Sequence, residues 1–389
     1  MKKVKLSELG EIVGGSTPAT KNIENYDGNI SWITPKDLAN YNKIFIESGE
    51  RSITEKGFKS SSTKMLPKNS ILFTSRAPIG YIAIAEKELC TNQGFKSIIP
   101  NNNVDYIFLY YLLKYNKEYI ASFGSGTTFK EVSGTVMKNI EVNIPDTIEE
   151  QKKIANILYS IDKKIELNNQ INDNLLNLLR ASFKKYFIEN LKKDWKEQKL
   201  ENIVSIRRGA SPRPIQKFLS SEGINWLKIS DVTGIDSPFI YDIKEKIIEE
   251  GKSKSLFINK GTLVVSNSAT PGIPKFIMID TCVHDGWLVL SNFDYKYKNY
   301  LYFLIEQIRE NLIKLANGSV FNNLKTDILK EYKFYNPDDD TLEKFNSIAE
   351  AMMNMINKNT TENKHLESIR DTLLPKLMNG EIDLDKIEI

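Results

Sequence analysis

KLSELGEIVGGSTPATKNIENYDGNISWITPKDL, residues 5 to 38, and KLENIVSIRRGASPRPIQKFLSSEGINWLKISDV, residues 199 to 232, lie over one another without a gap at an offset of 194. Leu6 falls on Leu200, Gly15 on Gly209, Pro18 on Pro212, Trp32 on Trp226 and Asp37 on Asp231. An internal repeat of this length decides the architecture before any single element is assigned. Further along, PKNSILFTS corresponds to INKGTLVVS at an offset of 191, and CTNQGF to CVHDGW at 192. The match then continues at 192, with YIFLYYLL over YLYFLI and GTTFKEVSGTVMKNIEVNIPD over GSVFNNLKTDILKEYKFYNPD, and ends at Pro145 and Pro337. The order of motifs is the same in both copies, so the chain is one unit written twice.

After each of these prolines the pattern becomes a long helix. Ile154, Leu158, Ile161, Ile165, Asn168, Asn172, Leu175 and Leu179 follow alternating steps of four and three. Ile348, Met352, Met355, Asn359, Glu362, Leu366, Ile369 and Leu373 do the same, shifted by 194. Such spacing marks a coiled-coil seam, here with a polar middle whose Asn and Glu groups either fix register or line a wet gap between splayed helices, the first being preferred. Residues 147 to 195 hold nine basic and seven acidic residues, whereas residues 338 to 389 hold six and twelve. The two helices therefore attract each other. Before each helix, short β-rich runs (SILFTSR, YIAIAE, KSIIP; GTLVVSN, KFIMID) alternate with helical stretches rich in Tyr and Leu. The expected fold is α/β in the α+β sense: two similar globular domains, residues 1–146 and 191–337, and two long helices at 147–190 and 338–389 that form an antiparallel coiled coil.

With 389 residues the chain has length for two to three domains with real cores. Its formal charge of +3 is too small to announce a nucleic-acid protein, so any basic surface depends on placement. The positive excess sits in the globular parts, 18 basic against 15 acidic residues in 1–146 and 20 against 16 in 196–337. Two cysteines, Cys90 and Cys282, exclude a disulfide framework and a four-cysteine zinc site, and suggest a reducing compartment. Without an apolar run of about 18 residues or an apolar stretch behind MKKVK, the expectation is a cytoplasmic protein with no membrane partner.

Enzyme signatures are missing. The sequence contains no G-x-x-x-x-G-K-[ST] loop and no H-E-x-x-H, and only His284 and His365 are available beside the two cysteines. Cys282 and His284 stand where the first copy has Cys90 and Asn92, which favours a structural cysteine over a nucleophile. FGSG at 123 to 126 follows a helix rather than an opening strand, and NPDD at 336 lacks the second proline and aromatic of an amino-methyltransferase motif. No catalytic, cofactor-binding or metal-binding residue is expected in this chain. Trp32 and Trp226 are expected in the core rather than stacked on bases.

What remains is a set of polar loops carrying the residue types that contact phosphates and base edges. In the first copy these are Lys21, Asn22, Lys36, Ser75, Arg76, Asn92, Gln93, Ser125, Thr127, Thr128 and Lys130. In the second they are Arg207, Arg208, Arg213, Lys217, Lys228, Asn267, Ser268, His284, Ser319, Asn322 and Asn323. The copies differ most in these loops and agree most in the apolar frame, as expected of two domains that contact different sequences.

The opening KLSELGEIVGGSTP, SWITPKDL, ILFTSRAPIG, CTNQGF, the GSGTTF loop, IPDTIEEQKKIANIL and above all SIRDTLLPKLMNGEI at 368 to 382 resemble the specificity subunit of Type I restriction-modification systems over essentially the whole chain. The resemblance implies two target recognition domains, each reading half of a bipartite double-stranded DNA site, and conserved helices that set their separation. It also implies a non-enzymatic subunit that holds two methyltransferase subunits, with S-adenosylmethionine bound on those partners, and that is joined by restriction subunits with translocase and nuclease activity. A helix of about 40 residues spans about 60 Å, an upper limit of roughly 17 base pairs on the spacing. The first helix ends LLRASFKKYFIEN where the second has LLPKLMNGEI, so the contacts with two methyltransferase copies need not be equivalent. The alternative is a non-enzymatic coiled-coil scaffold that binds other proteins.

Overall fold

The computed structural model describes residues 1–126, 130–316 and 323–384. Its contacts divide the chain into two compact units, Met1–Leu167 with Asn363–Ile389, and Asn168–Glu362. The division falls inside each long helix, not at the composition breaks after residues 146, 190 and 337. The reason lies in the cores. In the first unit Phe108, Leu109 and Leu113 of helix α1 (Tyr106–Tyr115) share one cluster with Ile154, Ala155 and Leu158 of the first long helix, α2 (Ile148–Lys184). Leu374, Leu377 and Met378 from the end of the second long helix join the same cluster. In the second unit Tyr300, Phe303 and Leu304 of α3 (Lys298–Ala316) pack with Leu179 and Phe183 of α2, and with Phe345, Ala349, Met353 and Ile356 of α4 (Asp339–Met378). Each globular domain thus buries the start of one long helix and the end of the other.

The long helices begin where the chain supplies caps. Thr147 and Glu150 form a reciprocal box, with the Glu150 amide donating to Thr147 Oγ1 at 3.2 Å and the Thr147 amide to Glu150 Oε2 at 3.3 Å. Asp338 caps α4 by accepting from the Thr341 amide at 2.8 Å, and also accepts from Trp195 Nε1 at 2.8 Å and Lys192 Nζ at 2.6 Å. The Lys192 bond comes first among the causes that hold the Asp338 carboxyl well below the usual carboxylate range. α4 stops at Gly380, whose φ of +70° continues no helix.

Within each unit the two helices run antiparallel. In the first, Arg370 Nη1 meets Asp162 Oδ1 at 2.7 Å and Asn363 Nδ2 donates to the Ile165 carbonyl at 3.5 Å. In the second, Asn168 Nδ2 donates to Glu362 Oε2 at 2.8 Å and Asn359 Nδ2 to Asn172 Oδ1 at 2.9 Å. On α2 the buried positions include Ile154, Leu158, Ile165, Asn168, Asn172 and Leu179, while Ile161 and Leu175 are half-buried. On α4 the expected seam requires correction. Met355 and Ile369 are exposed, Ile348, Met352, Asn359, Glu362, Leu366 and Leu373 are only partly covered, and the buried line is Ala349, Met353, Ile356, Asn363 and Leu374. Each lies one residue further on. A helix turns about 100° per residue, so a face that must meet both the partner helix and its own domain is centred between the simple seam and the next position.

In the larger sheet the repeat holds strand for strand. The five-stranded sheet of the first unit has the order Gly10–Gly14, Lys96–Pro100, Ile71–Ser75, Ile79–Ala85, Phe45–Ile46. That of the second has Ser205–Arg208, Trp287–Ser291, Thr262–Ser266, Pro274–Ile277, Phe239–Ile240, and in both the last pair alone is parallel. A smaller sheet sets Trp32 opposite Cys90 and Trp226 opposite Cys282, again in parallel pairing. Both tryptophans are 4% exposed and both thiols are fully buried. Burial pushes the Cys90 thiol up to about 11 and raises Cys282 as well, the chemistry of packing groups rather than nucleophiles.

One alignment offset changes. Ile71 pairs with Ile98 and Leu263 with Leu290, so this strand matches at 192, not the 191 suggested by PKNSILFTS over INKGTLVVS. A one-residue slip sends every side chain to the opposite face of a strand, and only 192 keeps Leu72 and Val264 on the same side of their sheets. Ser75 is therefore the counterpart of Asn267, and Arg76 of Ser268.

Candidate nucleic-acid interface

In each unit three loops close on one another through two glycines. A Cβ on Gly15 would stand 2.2 Å from the carbonyl oxygens of Thr91 and Asn92, and one on Gly209 would stand 2.2 Å from that of His284. Glycine is required because the 15–18 and 209–213 loops lie directly on the backbone of the loops that follow Cys90 and Cys282. The Ser16 amide donates to Thr91 O at 3.0 Å and the matching Ala210 amide to Val283 O at 2.9 Å. Gly94 abuts Pro35, and Gly286 abuts Ile229, which brings in the third loop. Asp37 and Asp231 brace that loop in the same way, accepting from the amides of Thr34 at 2.7 Å and Lys228 at 2.8 Å. The frame is thus common to both domains, and the side chains on it differ.

In the first domain Thr17 donates to Gln93 Oε1, and Asn92 Oδ1 accepts from the Gly94 amide at 2.8 Å. Ser75 belongs to the same junction through its amide, 2.8 Å from Gly94 O, but its side chain is fully buried with the hydroxyl on that carbonyl at 3.3 Å. It shapes the loop and presents no surface. Arg76 pairs with Glu131 at 3.4 Å, which Lys96 also meets at 3.3 Å, and Ser125 forms a two-way backbone bridge with Glu131. Lys130 lines an adjoining cleft of about 500 Å³ with Ala77, Pro78 and Glu118. Lys21 is exposed, Asn22 caps the short turn Ile23–Asn25 through the Glu24 amide, and Lys36 is engaged at 2.7 Å by Glu50 on the exposed surface. Thr127 and Thr128 lie outside the described residues.

In the second domain the cluster is denser. Asp285 gathers Ser211 Oγ at 2.8 Å, His284 Nε2 at 3.1 Å and Arg213 Nη2 at 3.3 Å, while its carbonyl accepts from Arg208 Nε at 2.7 Å. Burial lowers the His284 imidazole despite the neighbouring carboxylate, so it is neutral at pH 7. Its Nδ1 accepts from the Gly286 amide at 2.8 Å. Asn267 is buried, donating to Asp285 O at 3.1 Å, and Ser268 Oγ packs against Gly286. Arg207, Arg208, Asn267 and Asn323 share a cleft of about 630 Å³ with Lys325 and Lys330. Lys228 is paired with Glu245, and Lys217 is exposed on the Ile215–Lys217 turn. Ser319 and Asn322 lie outside the described residues.

Sequence reasoning did not select Thr17, Ser211, Asp285, Glu131, Lys325 or Lys330. The first three carried a signal: Thr17 aligns with Ser211 and Gln93 with Asp285 inside the repeat. The acidic groups were passed over because a search for DNA contacts looks for cations. Among the described residues no group of three or more His, Cys, Asp or Glu side chains is placed to hold a metal ion, and no helix is long and apolar enough to cross a membrane.

A repeated α/β frame with divergent polar loops and two antiparallel helices defines a two-domain recognition protein. The family described as Type I restriction modification DNA specificity domain matches residues 1–177 and 192–371, and the chain belongs to it. Its members are the DNA-recognition, non-catalytic subunits of complexes that also contain methyltransferase and restriction subunits. The chain is 33% identical over 412 residues to the Type I restriction enzyme MjaIX specificity subunit of Methanocaldococcus jannaschii, covering 98% of this chain and 94% of that one. It is 30% identical over 188 residues to the EcoR124I/EcoR124II specificity subunit of Escherichia coli, covering 46% and 45%. The crystal structure of a Type I S subunit from M. genitalium shares the fold with a TM-score of 0.64 at 19% identity, over 97% of this chain and 95% of that one.

Proposed function

We infer that the chain binds a bipartite double-stranded DNA site, one half-site to each globular domain, and that the paired helices fix the spacer and seat two methyltransferase subunits, with restriction subunits joining them. S-adenosylmethionine belongs to the methyltransferase partners in this reading, and this chain contributes recognition. The observation that carries it is the common loop frame with unlike tips: Thr17 and Gln93 in one domain, Ser211, Asp285, Arg208 and Arg213 in the other. Identical frames with different donors and acceptors suit two different sequences of base edges.

The test is base-resolution methylome sequencing of a host carrying the chain and its methyltransferase, against the same host without the chain. A bipartite methylated motif that depends on the chain, and in which exchange of residues 1–146 changes one half only, is the expected result. A motif independent of the chain, with the methyltransferase active, refutes the reading and favours a protein-interaction scaffold.

A further inference from the structure

At position 285 and its counterpart 93 the two domains keep a hydrogen bond and exchange a neutral acceptor for a charged one. Thr17 donates to a carboxamide, Gln93, and Ser211 to a carboxylate, Asp285, from matched loops on matched glycines. Among the described residues the exchange has a consequence in the second domain, where two arginines stand beside the acceptor. Arg208 bonds the Asp285 carbonyl through Nε at 2.7 Å and places Nη2 4.0 Å from its carboxylate, and Arg213 Nη2 lies 3.3 Å from the same oxygen. The side chain of Asp285 is 26% exposed, whereas those of Arg208 and Arg213 are 54% and 80% exposed. The anchor is thus shielded while the guanidinium groups face outward.

We propose that Asp285, held by Ser211, is a positioning residue that orients Arg208 and Arg213 toward a guanine edge in the half-site bound by the second domain. This rests on the DNA-binding reading above. A guanidinium carries five N–H donors in a rigid plane. A carboxylate that takes one edge of the plane fixes its direction and leaves other donors for O6 and N7 of guanine, the pair that Arg recognises bidentately. Burial works to raise the Asp285 carboxyl, and the Ser211 hydroxyl with the Arg208 and Arg213 charges outweighs it, so the group is ionised at pH 7. In the first domain Gln93 has no charge with which to hold an arginine.

The test compares wild-type chain with Asp285→Gln and Ser211→Ala, each with its methyltransferase, by methylome sequencing and by binding to duplexes changed at single base pairs. Asp285→Gln installs the residue that the first domain holds in the same frame. The expected result is an unchanged first half-site and a second half-site in which discrimination at one or two guanine positions falls roughly 5- to 150-fold. Ser211→Ala moves the same positions by a smaller factor. The intact first half-site reports a folded chain. An unchanged second half-site in Asp285→Gln overturns the proposal, as does relaxation spread equally over both half-sites. Failure of the wild-type chain to yield any bipartite motif instead refutes DNA recognition itself, so the two failures are distinguishable.

Discussion

Arg370 and Asp162 provide the most direct test of what joins the first domain to the long helices. Arg370 Nη1 lies 2.7 Å from Asp162 Oδ1, with side-chain exposures of 17% and 9%. The other carboxylate oxygen accepts from the fully buried Tyr111 of α1 at 2.7 Å and stands 3.7 Å from Lys114 Nζ. One carboxylate therefore links α1, α2 and α4. Removing one partner of a buried pair costs about 3–5 kcal/mol, because the other is left charged and poorly solvated. Here Lys114 and Tyr111 remain and water has partial access, so Arg370→Met is expected to cost about 2–3 kcal/mol. For a unit of this size about 1 kcal/mol corresponds to a fall of about 2–4 °C in Tm. Calorimetry should show the transition of the first unit falling by roughly 5–10 °C while that of the second is unmoved. In the background of Asp162→Asn the same substitution should cost less, with a coupling of about 1–3 kcal/mol. A loss below about 0.5 kcal/mol, or full additivity in the double variant, would refute the argument.

Three further outcomes are expected. Ile356→Ala, at a fully buried position, should lose about 2–4 kcal/mol in urea melts and Met355→Ala, half exposed next to it, less than about 0.5 kcal/mol; the reverse order would restore the simple heptad seam. Gly15→Ala and Gly209→Ala each force a Cβ to 2.2 Å from a backbone carbonyl, so each should destabilise by about 1–3 kcal/mol and weaken recognition of one half-site only, measured by melting and by duplex binding. Burial lowers the Lys275 ammonium to about 8, so the unfolded chain binds this proton more readily than the folded chain between pH 8 and the ordinary lysine value. Stability from this group is flat below about pH 8 and rises above it, by about 2 kcal/mol at pH 9.5 relative to Lys275→Met; urea melts of both forms with the same pH slope would contradict this.

The repeat, the mixed α/β class, the two long helices and the buried Trp32 and Trp226 were all legible in the sequence, because each rests on local patterns. Periodicity of apolar residues is set by the geometry of one element, and a duplicated segment carries its frame with it. Cys90 and Cys282 were likewise readable as packing residues from their matched places in that frame. The line of loop cations was legible only as a list of types. Ser75 and Asn267 look like any polar loop residue, yet both are buried, because their amides are tied to the carbonyls of Gly94 and Gly286.

The sequence by itself determined that two copies of one unit, each followed by a long amphipathic helix, would form this protein. Only the tertiary structure decided which face of α4 is buried, since that face answers to a partner helix and a domain together, whereas a heptad pattern anticipates the helix alone. It also decided the 192 register of the central strand, because pairing with Ile98 and Leu290 selects among offsets that sequence similarity leaves nearly equal. And it decided that Asp285 stands among Ser211, Arg208 and Arg213, residues more than 70 positions away in the chain, because glycine at 209 lets two backbones approach to a distance that no pattern of side chains along one segment can reveal.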